Sequence, residues 1–458
     1  MAVESTSEQL LMGWGRTSPT RATVWSPARA DQIADRLRTS GPRGVIARGL
    51  GRSYGDAAQN AGGTVVLATA LDRVLELDVE KGTITCEAGV SIDTLMRVLI
   101  PLGWFPAVVP GTRYVTVGGG VASDIHGKYR LGSFCDSVTR LKLATPGSGV
   151  LTIGPDEQPD LFWATAGGMG LTGVVTEVTM QLQPLETSRM LVDTERATDV
   201  DDCMARMLSG DSRYRYTVAW IDCTASGASL GRSVLTRGNH ARVDELGARQ
   251  KATASVFAPR SLARAPKWLP NGLINPLSMR AFNEMWFRKA PRFETDAVQS
   301  MTEFFHPLDG VEGWNRVYGS HGFLQYQYVV PYGAEAVVRT TLERLSAAKC
   351  ASFLAVLKRF EHANPAPLSF PMHGWTLTVD IPAAHSGLEA LLDGLDDLVV
   401  EAGGRVYFTK DSRVRPELVE PMYPEIARWR EARAAVDPRG VMQSDLSRRL
   451  ALVPERSN

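Results

Sequence analysis

The residues best suited to chemistry gather in three glycine-rich segments. In Ile46–Asp56, Gly49, Gly51 and Gly55 alternate with Arg48, Arg52 and Ser53 after a short apolar run. Glycine tolerates φ > 0, and without a Cβ its neighbours' N–H groups can converge on an anion. Arginine and serine add charge-assisted hydrogen bonds to phosphate oxygens. Alone, the segment reads equally well as a tight turn with solvated arginines. A second segment, Pro110–Gly127, places Gly118, Gly119 and Gly120 after a Thr/Val stretch that reads as a strand, and a third, Phe162–Val174, repeats the theme. Neither of the first two matches G-x-G-x-x-G opening a helix or G-x-x-x-x-G-K-[ST], which excludes dinucleotide-fold and P-loop readings. Three such turns together point to a large phosphate-bearing cofactor lying across one domain.

The elements around these turns are mostly strands. Short apolar runs at Gly44–Ala47, Thr64–Leu67, Gly82–Glu87, Val150–Ile153 and Gly173–Leu182 are punctuated by Gly, Pro and Asp. Two helices interrupt them. Ala28–Arg38 follows Ser26-Pro27, and Ser91–Leu102 carries Ile92, Leu95, Met96 and Leu99 on one face. From about Thr187 to Gly403 the texture changes to aromatic strands (Arg213–Asp222, Gly322–Pro331, Gly374–Pro382) beside amphipathic helices (Glu335–Lys349, Leu388–Ala402). This alternation predicts a mixed sheet with one helical face. Arg242–Asn283, with Pro259, Pro266, Pro270 and Pro276, is expected to be a long, partly mobile loop. A strand at Arg405–Thr409 and a helix near Leu418–Ala434 follow. The fold class is α+β, divided into 7–186, 187–403 and a C-terminal segment 404–458 returning to the first domain.

Bulk properties narrow the function. The 458 residues exceed one ordinary core, so two domains are expected. Fifty basic residues balance fifty acidic ones, which argues against a whole-molecule field for nucleic acid or an anionic membrane but leaves local patches open. Cys86, Cys135, Cys203, Cys223 and Cys350 are scattered, without metal-ligand or disulfide spacing; buried, reduced thiols and no metal site are expected. The N-terminal residues lack a signal-peptide pattern and no apolar run is long enough to span a bilayer. A lipid substrate would therefore be met from the membrane surface.

The order of the Gly51–Asp56, Gly111–Gly119, His126–Lys128 and Phe162–Gly173 motifs resembles the vanillyl-alcohol-oxidase class of FAD proteins with a PCMH-type FAD-binding domain. More specific strings are Gly13–Thr17, Phe304–Asp309, Trp314–Arg316, Gly322–Gln327, Ala366–Pro371, Lys410–Arg413 and Ser444–Arg449. They resemble the decaprenylphosphoryl-ribose 2′-oxidase family over almost the whole chain. That resemblance implies FAD-dependent oxidation of a ribose 2′-hydroxyl on a polyprenyl-phosphate sugar, as half of an epimerisation supplying cell-wall arabinan. It also implies a separate NAD(P)H-dependent keto-reductase and location in the cytoplasm or cell envelope, peripheral to the inner membrane. Members of the wider class often attach FAD through a His in the first glycine turn. Tyr54 stands there, so non-covalent FAD is expected.

The resemblance implies FAD contacts at Arg48, Gly49, Leu50, Gly51, Arg52, Ser53, Tyr54, Gly111, Thr112, Thr116, Val117, Gly118, Gly119, Ala122, Ser123, Ile125, His126, Gly127, Gly173, Val174 and Tyr407. Lys410 is expected beside the flavin, stabilising developing negative charge. His126 would accept the hydroxyl proton or orient the sugar, or simply close a turn. Gln325 and Gln327, two apart on a strand, share one sheet face. With Lys358 they are costly to bury unless a polar ligand satisfies them, although a solvated face would also do. Lys128, Tyr318, Thr376 and Thr378 complete the expected substrate site. Thr376 and Thr378 replace an Asn and a Cys of the family, and Tyr129-Arg130 replaces a His pair. These changes leave a paralogous oxidase or dehydrogenase of another sugar, nucleoside or polyol as the alternative.

Overall fold

The computed structural model describes residues 5–130 and 132–453; the outermost residues of the N-terminal and C-terminal readings lie outside them. The chain begins with a four-stranded sheet ordered Ser5–Leu11, Thr20–Ser26, Thr64–Leu67, Val45–Arg48. Its outer pair is antiparallel and the two other ladders are parallel. Helix Asp31–Arg38 packs Ile33, Ala34 and Leu37 onto it. This helix starts three residues later than the sequence predicts. Gln32 Oε1 accepts the N–H groups of Ala28 (3.0 Å) and Arg29 (3.1 Å), holding both in a turn before the first helical residue.

A second, antiparallel sheet is built around the long strand Val174–Pro184, which pairs with Thr83–Glu87, Val138–Thr145 and Trp104–Pro106. Helix Ile92–Leu99 buries the four apolar residues that its period predicts. Ser91 Oγ caps it by accepting Thr94 N–H at 3.0 Å, and a 3-10 turn finishes the run at Leu102.

The third sheet has eight strands in the order Phe293–Ser300, Arg189–Ala197, Ser233–His240, Tyr216–Ile221, Ala355–Phe360, Gly374–Pro382, Phe323–Pro331, Arg405–Val406. Every ladder in it is antiparallel. Parallel pairing, expected here from the strand–helix–strand pattern, occurs instead in the N-terminal sheet. Phe323–Pro331 and Ala355–Phe360 do run in the same direction around helix Glu335–Ala347. Gly374–Pro382 enters between them and is antiparallel to both. Helices Val200–Gly210, Glu335–Ala347 and Leu388–Glu401 cover one face, against Ala219, Ile221, Tyr326, Tyr328, Leu357, Leu377 and Val379. Each fully buried Val, Leu or Ile there is worth roughly 1.5–3 kcal/mol. The strand period of two then sends Val218, Trp220, Gln325, Gln327, Val356, Lys358 and Thr378 to the opposite face, which lines a cleft.

The expected loop at Arg242–Asn283 contains structure. Pro276 opens helix Pro276–Lys289, where its missing N–H costs nothing, and Asn275 caps it by accepting Leu277 and Ser278 N–H at 3.0 Å. Upstream, Ala263–Arg264 pairs in parallel with Val311–Glu312. At the C-terminal end the strand is only Arg405–Val406; Lys410 N–H reaches back to Tyr407 C=O at 2.9 Å and turns the chain. The helix expected over 418–434 is two, Val419–Met422 and Ile426–Val436, separated at Pro424. Trp429 Nε1 donates to Ala164 C=O at 3.0 Å, and Gln443 N–H to Val45 C=O at 3.0 Å, so this segment packs on the N-terminal sheets. All five cysteines are free and buried. Among the described residues no helix is long and apolar enough to cross a membrane.

Candidate active site

A cleft of about 900 Å³ lies between the glycine segments and the open face of the eight-stranded sheet, at the upper end of the ~300–1,000 Å³ usual for ligand sites. The glycines are there for close approach. A Cβ on Gly49 would stand 2.2 Å from Thr116 Oγ1, and one on Gly127 2.1 Å from Val109 C=O. Gly51 has φ +66°. The second segment is not an extended strand into glycines. Thr116 caps a short helix, Val117–Ala122, by accepting Gly119 N–H at 3.2 Å, so the three glycines form its first turns.

The cleft brings together Gly49, Leu50, Gly51, Arg52, Ser53 and Tyr54 with Gly111, Thr112, Thr116, Gly118 and Gly119. Ala122, Ser123, Ile125, His126, Gly127, Gly173 and Tyr407 also line it, as do Lys128, Gln325, Gln327, Lys358, Thr378 and Lys410. Five expected residues do not. Arg48 turns away, its guanidinium taken up by Met12 C=O (2.7 Å) and Ala58 C=O (3.0 Å). Val117 and Val174 are core residues with no exposed surface. Tyr318 stacks on Phe323 at 4.2 Å, and Thr376 is buried beneath Gln327, accepting its amide at 3.2 Å.

The floor of the cleft is a cluster of buried polar groups. Gln327 Nε2 is 2.9 Å from His126 Nε2, and Lys358 Nζ is 3.2 Å from both His126 Nδ1 and Gly127 C=O. With the amide donating, His126 Nε2 accepts and the ring proton sits on Nδ1, facing a lysine amine. Burial, and then the charges of Lys358 and Lys410, hold His126 well below the usual histidine range. It is therefore neutral and a weak base. Burial brings Lys358 to about 7, and likewise Lys128 and Lys410. Lys128 donates to Phe304 C=O and lies 4.4 Å from that ring. Lys410 makes no hydrogen bond to protein among the described residues; its ammonium rests 3.9 Å from the Tyr54 ring centroid.

Asp380 was not anticipated. It lies on the strand of Thr376 and Thr378, two residues further along the same face, which is the signal that would have found it. It accepts Gln325 Nε2 at 2.5 Å, and burial raises its carboxyl to about 7, opposed by Gln325 and the Lys410 charge.

The specific strings recognised in the sequence hold these groups in place. Trp14 N–H donates to Ser53 C=O at 2.8 Å and Gly15 N–H to Tyr54 C=O at 3.0 Å. Asp309 accepts Thr112 Oγ1 (2.7 Å) and Arg113 N–H (2.8 Å), fixing the turn before the glycine helix. Arg449 grips Asp56 with two bonds of 2.8 and 2.9 Å and reaches Asp411 at 2.8 Å. With Tyr54 N–H donating to Thr409 C=O at 2.9 Å, this clamps the Lys410 turn onto the first glycine turn.

These residues fit a flavin dinucleotide. Glycines without space for a Cβ, Arg52 and Ser53 beside them, and a half-buried ammonium short of partners form a donor-rich, cationic lining. A bound anion raises the pKa of a neighbouring lysine. At about pH 8 the floor lysines are largely neutral, so adding FAD to apoprotein is expected to take up protons, approaching one per lysine engaged. The uptake should vanish below about pH 6, where they are already charged. Calorimetry in two buffers of different ionisation enthalpy reads this directly; identical heats would contradict it. Likewise, Thr378→Cys is expected to place the one reactive thiol in a protein whose own five are buried. Native-state labelling followed by mass spectrometry should show a single adduct in the variant and none in the parent.

Comparison with known proteins agrees with this geometry. Residues 22–154 match the family described as FAD binding domain. The chain is 42% identical over 457 residues, 98% of each chain, to decaprenylphosphoryl-beta-D-ribose oxidase of Mycolicibacterium smegmatis. It is 41% identical over 374 residues, 79% of this chain and all of the other, to an uncharacterized protein in the mprA 5′ region of Streptomyces coelicolor. L-galactono-1,4-lactone dehydrogenase 2 of Oryza sativa is 32% identical over 179 residues, 38% of this chain and 30% of its own. The first two relatives match most of the chain, well beyond the FAD-binding domain, whereas the third matches little more than a third of it. The chain therefore belongs to the decaprenylphosphoryl-β-D-ribose oxidase family, two-domain α+β FAD-dependent oxidoreductases acting on a sugar CH–OH group.

Proposed function

We propose that this protein oxidises the ribose 2′-hydroxyl of decaprenylphosphoryl-β-D-ribose to the 2′-keto sugar, the first half of epimerisation to an arabinose donor. The observation that carries this is the end-to-end match to the mycobacterial oxidase. The chemistry FAD supplies here is two-electron acceptance from the carbinol carbon. The chain's own groups do the rest. Gln325, Gln327 and Thr378 orient the sugar hydroxyls from one sheet face, and Lys128 offers charge to the phosphodiester. The hydroxyl proton passes to the His126–Lys358 pair, in which the lysine, at about 7, is the better matched base at neutral pH. Lys410, held against Tyr54, faces negative charge accumulating on the opposite side.

Tyr54 in place of a histidine supports non-covalent FAD, and acid or heat denaturation should release the yellow chromophore entirely into the supernatant. The keto sugar needs a reductant, so a separate NAD(P)H-dependent keto-reductase completes the epimerisation. The decaprenyl chain calls for peripheral contact with the inner membrane. Anaerobic addition of decaprenylphosphoryl ribose should bleach the visible flavin band. An unchanged spectrum with this lipid, together with bleaching by a free sugar, nucleoside or polyol, selects the paralogous oxidase that Thr376 and Thr378 favour.

A further inference from the structure

Exposed large apolar side chains in this protein are concentrated in one segment. Leu262 is 84% exposed, Leu277 80% and Trp268 79%, the three highest values among the described large hydrophobic residues. They occupy three different local structures: an edge beside Gly310, a proline-rich connection, and the first turn of helix Pro276–Lys289. A core would have taken them, and a soluble surface rarely displays tryptophan and leucine so fully.

The charge of the same segment is one-sided. Between residues 258 and 290 stand Arg260, Arg264, Lys267, Arg280, Arg288 and Lys289, with Glu284 as the only acid, in a chain whose fifty bases and fifty acids balance overall. Arg264 is paired with Glu312 and Arg288 with Glu284. No ion pair engages Arg260, Lys267 or Arg280 among the described residues, and all three are exposed.

The segment also rims the cleft. Ser261, Phe282 and Trp286 line its mouth, and Lys267 lines the adjoining recess with Arg52 and Glu312. Apolar residues projecting among unpaired cations are the composition that inserts into a bilayer interface while its charges meet anionic headgroups. A second copy of the chain fits poorly, because a two-fold contact would set this cationic patch against itself.

We infer that the rim formed by residues 260–286 docks the protein on an anionic lipid surface, with Leu262, Trp268 and Leu277 inserted and Arg260, Lys267 and Arg280 at the headgroups, so that the cleft opens onto the bilayer. This deepens the lipid-linked-substrate reading and rests on it for its purpose, but its test needs no substrate. The FAD-bound full chain is sedimented with vesicles of phosphatidylcholine alone or with a quarter of phosphatidylglycerol. Binding is expected only with the anionic vesicles, decreasing with salt. It should weaken at least about tenfold in the combined variant Leu262→Ser, Trp268→Ser, Leu277→Ser and again in Arg260→Glu, Arg280→Glu. The serine variant should keep the parent's flavin spectrum, melting temperature and rate on a detergent-dispersed sugar lipid, while losing rate on the same lipid in vesicles.

Equal binding by parent and variants, or no preference for anionic vesicles, overturns the proposal. A changed oligomeric state of the serine variant on gel filtration with vesicle binding intact also overturns it and identifies a protein interface instead. Failure of decaprenylphosphoryl ribose to bleach the flavin, with vesicle binding and its loss in the variants preserved, would sink the substrate reading alone.

Discussion

Lys410→Met is expected to slow flavin reduction by substrate about 100- to 1,000-fold with FAD still bound, the loss typical of removing one preorganised charge from a reacting centre. Several features make this ammonium unusual. It is half-buried in the cleft wall, it rests on the Tyr54 ring, and desolvation has brought it to about 7. Its turn is clamped by Arg449 to Asp56 and Asp411, so the position is rigid before any ligand arrives. A charge held without reorganisation is worth most where negative charge develops. Lys410→Arg should not restore the rate, since a planar fork is a poor replacement for a compact point charge in a site shaped around the Tyr54 ring. Stopped-flow bleaching across pH provides a second readout. The parent's rate should fall as Lys410 loses its charge above about 7, and the Met variant should lack that fall while keeping the rise that belongs to Lys358; a variant reduced at the parental rate removes Lys410 from the mechanism.

The second large effect lies at the cofactor cradle. Gly49→Ala is expected to weaken FAD binding by roughly 5- to 150-fold, because overpacking a fitted site costs about 1–3 kcal/mol and each 1.4 kcal/mol is tenfold. The new methyl would stand 2.2 Å from Thr116 Oγ1 and 3.1 Å from Thr116 Cγ2. Thr116 must rotate, and with it goes the cap on the glycine helix, worth about 1 kcal/mol on its own. Gly41→Ala is the control: nothing lies within 4 Å of its added Cβ. Fluorescence titration of apoprotein with FAD measures both. Equal affinities for the two variants would show that the contact between the first and second glycine segments is not needed to hold the cofactor.

Much of the cradle was readable from residue types. Gly49, Gly51 and Gly118 line the cleft as the turn chemistry predicts, and the pair Gln325 and Gln327 falls on one sheet face because strand periodicity is a local property. Ser91 capped its helix for the same local reason. Errors arose where two segments compete for the same group. Arg48 reads as a phosphate ligand from its neighbours in sequence, yet Met12 and Ala58 carbonyls claim its guanidinium. Thr116 reads as part of a strand until its hydroxyl is seen to cap Gly119. The parallel pairs expected within a mixed sheet are absent because Gly374–Pro382, arriving later in the chain, separates two strands that a local pattern would pair.

The sequence by itself determined which backbone positions lack side chains, which strand faces alternate, and that a phosphate-bearing cofactor crosses the N-terminal half. All of these follow from chemistry within a few residues. Only the tertiary structure decided the electrostatics of the site. Arg449 meets Asp56 across 393 residues of chain, His126 meets Lys358 across 232, and Asp380 feels the charge of Lys410 from a turn beyond the sheet. Three lysines have pKa values near 7 because packing removes their water, and burial is a property that no stretch of sequence possesses before the chain has folded around it.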